Sequence, residues 1–239
     1  LIAHGIRHFV MSPGSRNAPI IVALARRDGI ERHVVVDERS AAFIALGLAQ
    51  QTGEPVAVVC TSGTALLNYA PAVAEAYYQK LPLIVISADR PMEWIDQDDS
   101  QTIRQYEALA QFVKKSYDLP ARCDDDTALW YANRIVNDAV SEATSCQRAP
   151  VHINVQIDEP INAVAEWAGK QRIIEVSEPS AELSAEAISR LADEAMGKNI
   201  LIIARFGRHD ACLEAEINRL AELPNVAVLT ETIANIKGS

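Results

Sequence analysis

The sequence predicts an α/β protein, a doubly wound parallel sheet followed by part of a second α/β domain, and three observations predict it. Short β-branched runs alternate with longer helical patterns along the chain. Most of these runs are apolar on both sides, as strands are when helices cover both faces of a parallel sheet. Turn residues and hydroxyls gather just after the runs, where a strand hands over to a helix.

Taken in order, the strand patterns are Phe9–Met11, Val34–Val36, Val56–Cys60, Leu83–Ile86 and Val151–Val155, each rich in Val, Ile or Phe. The segments 17–27, 40–51, 65–79, 101–110 and 127–145 between them read as helices. Asp158-Glu159-Pro160 closes this first domain, residues 1–160. Residues 161–183 are polar and short of periodicity, so they read as a linker. Residues 184–239 restart the alternation as a partial second domain: a helix over 184–196, a strand over 199–203, a helix over 211–223 and a strand over 226–229. That sheet breaks off before it is complete, and the chain is read as a fragment of a longer protein.

Composition bounds what the chain does. A length of 239 residues suits one domain and part of another. No stretch approaches the roughly 20 uninterrupted apolar residues of a membrane span. With 22 basic against 32 acidic residues and a net charge of −10, the chain lacks the basic footprint of a nucleic-acid binder. Small anions remain suitable ligands at local arginines. Cys60, Cys123, Cys146 and Cys212 are far apart and form no CxxC, which points to reduced thiols in a cytoplasmic setting. The opening Leu1-Ile2-Ala3-His4-Gly5 carries no signal-peptide pattern.

Glu38 is the first candidate for chemistry. It stands where an apolar strand pattern gives way to an apolar helix pattern, and a carboxyl at that end of a parallel strand looks into the crevice where open α/β sheets take ligands. Desolvation there favours the neutral acid. Its other reading is a first-turn acid complementing the helix dipole. Three loops share that edge. Ser12-Pro13-Gly14-Ser15-Arg16 offers a close backbone approach and a bidentate guanidinium for a carboxylate, or a helix cap. Thr61-Ser62-Gly63-Thr64 offers backbone N–H groups to an anion or a polar ring edge, or again a cap. Ser87-Ala88-Asp89-Arg90-Pro91 offers a second carboxylate clamp, or an ion pair between Arg90 and Asp89. No metal set is read: His4 and His8 are separated by Gly5 and lack a third ligand, and Asp124-Asp125-Asp126 reads as a helix cap.

Together with Asp37-Glu38-Arg39-Ser40-Ala41-Ala42-Phe43, Cys60 to Ala65 with Asn68, Ala88-Asp89-Arg90-Pro91 and Gln101-Thr102-Ile103-Arg104-Gln105, these segments carry a resemblance over most of residues 1–160. The chain resembles the thiamine-diphosphate-dependent 2-succinyl-5-enolpyruvyl-6-hydroxy-3-cyclohexene-1-carboxylate synthases of menaquinone biosynthesis, the MenD family; Thr230-Glu231-Thr232-Ile233 resembles the central domain of the same family. The resemblance implies a pyrimidine-binding, a central and a diphosphate-binding domain, with the active site between two subunits of a homodimer or homotetramer. It implies a transferase that decarboxylates 2-oxoglutarate and adds the succinyl-semialdehyde carbanion to isochorismate.

By that pattern Glu38 is catalytic and hydrogen-bonds the cofactor's aminopyrimidine at N1′, in a site where the cofactor carries the hard chemistry. Ser62, Gly63, Thr64 and Asn68 line the pyrimidine pocket. Ser15, Arg16, Arg90 and Gln101 bind substrate on the isochorismate side. Family members hold Mg²⁺ and diphosphate through a Gly-Asp-Gly segment that is absent here, so the resemblance leaves both to a missing domain and leaves this chain inactive alone. Gln97-Asp98-Asp99-Ser100 departs from the family by adding acids beside a site for anions. An acetolactate-synthase-like thiamine enzyme and a non-catalytic carboxylate-binding module are the competing readings.

Overall fold

A computed structural model describes residues 1–145, 147–161, 171–177 and 182–237. The chain forms two compact units, Leu1–Glu178 and Pro179–Ser239.

The first unit is a six-stranded, wholly parallel sheet. Its elements run β1 (His8–Met11), α1 (Ala18–Ala25), β2 (Glu31–Val34), α2 (Glu38–Thr52), β3 (Val56–Cys60), α3 (Thr64–Asn68), α4 (Ala70–Tyr78), β4 (Leu83–Asp89), β5 (Ser116–Leu119), α5 (Asp126–Thr144) and β6 (Val151–Gln156). The strand order is β2-β1-β3-β4-β6-β5, so the chain turns one way from β1 to β2 and the other way from β1 to β3. The crevice above such a reversal is where doubly wound sheets bind ligands.

Period-two alternation sends Val10, Val56, Val58, Cys60, Leu83 and Val85 to the face covered by α2. Phe9, Met11, Ala57, Val59, Ile84 and Ile86 go to the other face, with α5. Burying each such Val, Leu or Ile contributes about 1.5–3 kcal/mol. Helix α2 lies close to the sheet because its buried stripe is Ala41, Ala42, Ala45, Leu46 and Ala49. It starts where the Asp37 carboxylate accepts the Ser40 N–H at 2.8 Å and stops at Gly53, φ 73°.

Several expectations need correcting. The Val34–Val36 run is not the strand: β2 is Glu31–Val34 because its register is set by β1. As an edge strand it is not covered on both faces, and Val34 and Val36 are 67% and 78% exposed. The helix expected over 65–79 is two helices meeting at Tyr69, since Pro71 in the first turn of α4 cannot continue the hydrogen-bond ladder of α3. Residues 101–110 are turns rather than helix, with Gln101 and Glu107 at φ 55° and 62°. Tertiary hydrogen bonds from the Gln101 and Gln105 side chains override helix propensity there. Strand β4 runs on through Ser87 to Asp89, so only Arg90 and Pro91 begin the loop. The short β5, unforeseen, pairs with β6.

Within the expected linker, 162–170 and 178–181 lie outside the described residues. Residues 171–177 belong to the first unit and pack against α5: Asn137 donates to the Arg172 carbonyl at 2.9 Å and accepts from the Ile174 N–H at 2.7 Å. The second unit holds β7 (Ile200–Ala204) parallel to β8 (Val226–Thr230), with α6 (Ala185–Ala195) and α7 (Ala211–Ala221). No helix among the described residues is long and apolar enough to cross a membrane.

A polar layer lies beneath the carboxyl edge of the sheet. Ser87 Oγ bridges His152 Nε2 at 2.7 Å and Asn154 Oδ1 at 3.0 Å, and Asn154 Nδ2 donates to Asp89 at 3.0 Å. Burial pushes His152 from its ordinary 6.5 down to about 4. The folded protein therefore holds it neutral while the unfolded chain takes up a proton near pH 6.5. Its contribution is complete above that pH and is lost as the pH falls toward 4, by about 3 kcal/mol. Asp89, pushed up by burial, acts in the opposite sense at the acid end. Urea midpoints at pH 7 and pH 4.5 are expected to differ more in the native chain than in His152→Gln; equal differences exclude His152 as the cause.

Candidate functional site

Four segments at the carboxyl edge carry the candidate residues: the β1–α1 loop with Ser15 and Arg16, the start of α2 with Glu38, the β3–α3 turn with Ser62, Gly63 and Thr64, and the loop after β4 with Arg90 and Gln101. All follow parallel strands, which is why they share one edge.

Glu38 is the first residue of α2, so it does sit where the helix dipole favours an acid. Capping is done by Asp37 instead. Glu38 is half-buried, and among the described residues its carboxylate makes no side-chain hydrogen bond or ion pair. Its charge reaches the end of β3: burial first, and then the Glu38 carboxylate, push the Cys60 thiol up. Burial, Cys60 and Glu38 likewise push up the Tyr69 phenol, whose hydroxyl lies 3.4 Å from Ser12 Oγ.

Neither hydroxyl loop caps a helix through a side chain. Asn17 precedes α1 without a capping bond and donates to the Ser12 carbonyl at 2.8 Å. Gly63 precedes α3 at φ 80°. Gly14 is required by closeness: a Cβ there would stand 2.4 Å from the Thr61 side chain, so the β1 and β3 loops pack backbone against side chain.

The arginines are held and already paired. Arg16 is buried; it donates to the Ile157 carbonyl at 3.0 Å and meets Glu159 at 3.0 Å. Arg90 donates to Ser62 Oγ at 3.2 Å and pairs with Asp99 rather than Asp89, whose carboxylate accepts the Arg90 N–H at 2.8 Å. The hydrogen bond from the Arg90 guanidinium to Asp99, and the charge of that guanidinium, hold the Asp99 carboxyl below its ordinary range. Both guanidiniums thus face acids from loops, on geometry that suits a ligand carboxylate.

Segment 101–105 closes over the β3–α3 turn. Gln101 donates to the Ser62 carbonyl at 3.1 Å. Gln105, fully buried, accepts the Gly63 N–H at 2.9 Å and donates to the Ala88 carbonyl at 3.0 Å and Asn154 Oδ1 at 2.8 Å. Ser62 and Gly63 are therefore buried under this segment, while Thr64 and Asn68 are exposed, Asn68 bonding back to the Thr64 carbonyl at 3.0 Å. Ser15 is exposed at the rim. Gln105, Asp99 and Glu159 were not singled out as site residues by sequence; their signals were the Gln-Thr-Ile-Arg-Gln segment for Gln105, the acidic 97–100 run for Asp99 and the domain-closing Asp158-Glu159-Pro160 for Glu159. A cavity of about 460 Å³ lies elsewhere, against α5 near Trp130, Asn133 and Arg172, and none of the candidate residues lines it.

Residues 1–108 match the thiamine pyrophosphate enzyme, N-terminal TPP binding domain family. The chain is 45% identical over 235 residues to the 2-succinyl-5-enolpyruvyl-6-hydroxy-3-cyclohexene-1-carboxylate synthase of Porphyromonas gingivalis, covering 98% of this chain and 41% of that protein. It is 46% identical over 242 residues to the synthase of the same name from Desulfotalea psychrophila, covering 99% and 45%. With that of Bacteroides fragilis the identity is 54% over 161 residues, covering 67% and 29%. The chain spans less than half the length of these relatives.

Proposed function

The chain belongs to the 2-succinyl-5-enolpyruvyl-6-hydroxy-3-cyclohexene-1-carboxylate synthase family of thiamine pyrophosphate enzymes, and from that premise we propose that it supplies the pyrimidine-binding domain of a cytoplasmic transferase that decarboxylates 2-oxoglutarate and joins the remaining four carbons to isochorismate. The observation that carries the reading is the convergence at one sheet edge of the Glu38 carboxylate, which has no side-chain partner among the described residues, with the guanidiniums of Arg16 and Arg90. The unpartnered carboxyl group, sharing one proton with a ring nitrogen, fits the nitrogen edge of an aminopyrimidine, and the arginines fit dianionic substrates.

When bound, thiamine diphosphate supplies the nucleophilic carbon and the electron sink for decarboxylation. Glu38 holds a proton at the pyrimidine N1′ atom. The β3–α3 turn, with Ser62, Gly63, Thr64 and Asn68, forms the wall of the pyrimidine pocket, and Gln105 keeps that wall against the sheet. Arg16 and Arg90, with Ser15 and Gln101 beside them, bind the isochorismate carboxylates. Glu159 and Asp99 then act as internal counter-ions that the substrate displaces. Each returns to water from an exposed position, so the exchange of one carboxylate for another costs little.

Mg²⁺ and the diphosphate are held by a domain other than this one, because the sequence contains no Gly-Asp-Gly segment, and the chain alone does not turn over. A second subunit completes the site; the exposed apolar side chains of Val34 and Val36 ahead of α2, Phe43 and Ile44 on α2 and Leu67 on α3 support a packed homodimer or a higher assembly.

The test is the mass of the product formed by the polypeptide carrying this chain at the length of its relatives, given thiamine diphosphate, Mg²⁺, 2-oxoglutarate and isochorismate. An adduct of isochorismate gaining the four-carbon unit, with release of carbon dioxide, is expected. Condensation of pyruvate with isochorismate ignored would replace the reading with an acetolactate-type one.

A further inference from the structure

The opposite, amino-terminal edge of the sheet carries a cluster that the reading above does not use. Glu31 and His33 are two residues apart on β2, and His8 on β1 is the cross-strand partner of Glu31, so all three side chains stand on one face of the sheet. Their donor atoms lie within 4.8 Å of one another. His8 Nδ1 is 3.4 Å and His33 Nε2 3.9 Å from the same carboxylate oxygen, Glu31 Oε2. Donor atoms around a tetrahedral ion with bonds of about 2.1 Å stand about 3.4 Å apart.

Two independent observations say that a cross-strand ion pair does not exhaust this geometry. His8 is only 9% exposed, yet among the described residues its Nδ1 makes no hydrogen bond, and neither does the buried Nε2 of His33. Two such orphaned imidazole nitrogens facing one oxygen call for a common partner. Behind His8, the Glu54 carboxylate stands 3.7 Å from Nε2. A carboxylate at that nitrogen favours the tautomer with its proton on Nε2 and leaves the Nδ1 lone pair facing the cluster, the outer-shell arrangement of metal-bound histidines. Nor, among the described residues, does a neighbouring Arg or Lys pair with Glu31. Arg7 donates to the Ile2 carbonyl at 3.1 Å, and Arg32 to those of Leu24, Ala25 and Arg27 at 2.7–3.3 Å.

We propose that His8, Glu31 and His33 form a divalent-metal site of the zinc class, with Glu54 as the outer-shell partner of His8 and a water completing the tetrahedron. Two imidazoles and one carboxylate suit Zn²⁺ or Co²⁺; Mg²⁺, which takes an octahedral oxygen set, does not fit. The ion ties edge strand β2 to β1 below the crevice.

Co²⁺ is the probe, because its visible absorption reports tetrahedral coordination. Titration of the chain is expected to give a tetrahedral spectrum saturating at one Co²⁺ per chain, displaced by Zn²⁺ and unaffected by Mg²⁺. His33→Gln, on the exposed edge strand where folding tolerates it, is expected to abolish the spectrum while the far-UV circular dichroism is retained. Glu54→Gln should weaken binding about 10- to 100-fold. A failure to saturate at one equivalent, or a His33→Gln chain that binds as the native one does, overturns the site. The readout is independent of turnover, so it stands or falls apart from the proposed reaction.

Discussion

On the proposed function, replacing Glu38 by glutamine is expected to lower turnover of the polypeptide carrying this chain at the length of its relatives about 10²- to 10⁴-fold, the range set by loss of a positioned proton-transfer group, with little change in stability. Glutamine keeps the shape and the first-turn position but can neither hold nor release a proton. The competing role, an acid complementing the dipole of α2, predicts the reverse. Losing that complement costs about 0.3–1 kcal/mol and leaves turnover untouched. No side-chain hydrogen bond or ion pair holds the Glu38 carboxylate among the described residues, so substitution breaks no network, and Asp37 keeps its cap on Ser40. Steady-state turnover and a urea denaturation of the same variant separate the roles. Turnover within a few-fold of the native value, with stability lowered, makes Glu38 structural and removes the proposed mechanism. Aspartate is a second probe: it retains the charge about one methylene short of reach, and a loss comparable to that of glutamine shows that position, not charge alone, is what the site requires.

The parts of the molecule legible in the sequence are those whose residues answer to one local demand. The runs Val56–Cys60 in β3 and Leu83–Ile86 in β4 are apolar on every side chain because both faces are covered, and that demand is visible residue by residue. The placement of Glu38, Arg16, Ser62 and Arg90 at one edge follows from parallel strands alone. What stayed illegible depends on partners far along the chain. The 101–105 segment reads as helix, yet its Gln side chains reach back about 40 residues to Ser62 and Gly63. The Arg90–Asp89 pair is the obvious neighbour reading, and the actual partner is Asp99, brought over by a turn in which Asp96 and Asp98 also adopt positive φ. His8 and His4 looked like the histidine pair to weigh for a metal. His4 instead bonds Asn137 at 2.9 Å, while His8 meets Glu31 and His33 across strands whose register no local pattern encodes.

Gly63→Ala is the second large effect expected, and it reaches function through stability. Gly63 sits at φ 80°, ψ −145°, a region that a side chain makes costly. An added Cβ would stand 2.9 Å from the Gln101 carbonyl oxygen and 2.9 Å from its Cγ. Backbone strain of about 1–3 kcal/mol and overpacking of about 1–3 kcal/mol give an expected loss of about 2–6 kcal/mol. Relief requires the 101–105 segment to move off, which takes the Gln101 bond from Ser62 and the Gln105 bond from Gly63. Those same contacts hold the wall of the proposed pyrimidine pocket and bring Gln101 beside Arg90. In the intact enzyme the variant is therefore expected to weaken cofactor affinity as well. Gly47→Ala is the matched control: Gly47 lies on the exposed side of α2 with nothing within 4 Å of an added Cβ, and alanine there is expected to gain about 1 kcal/mol. Urea unfolding of both chains decides the matter. If Gly63→Ala unfolds within about 0.5 kcal/mol of the native chain, the 101–105 segment is not locked on the β3–α3 turn, and the positioning role given to Gln105 goes with it.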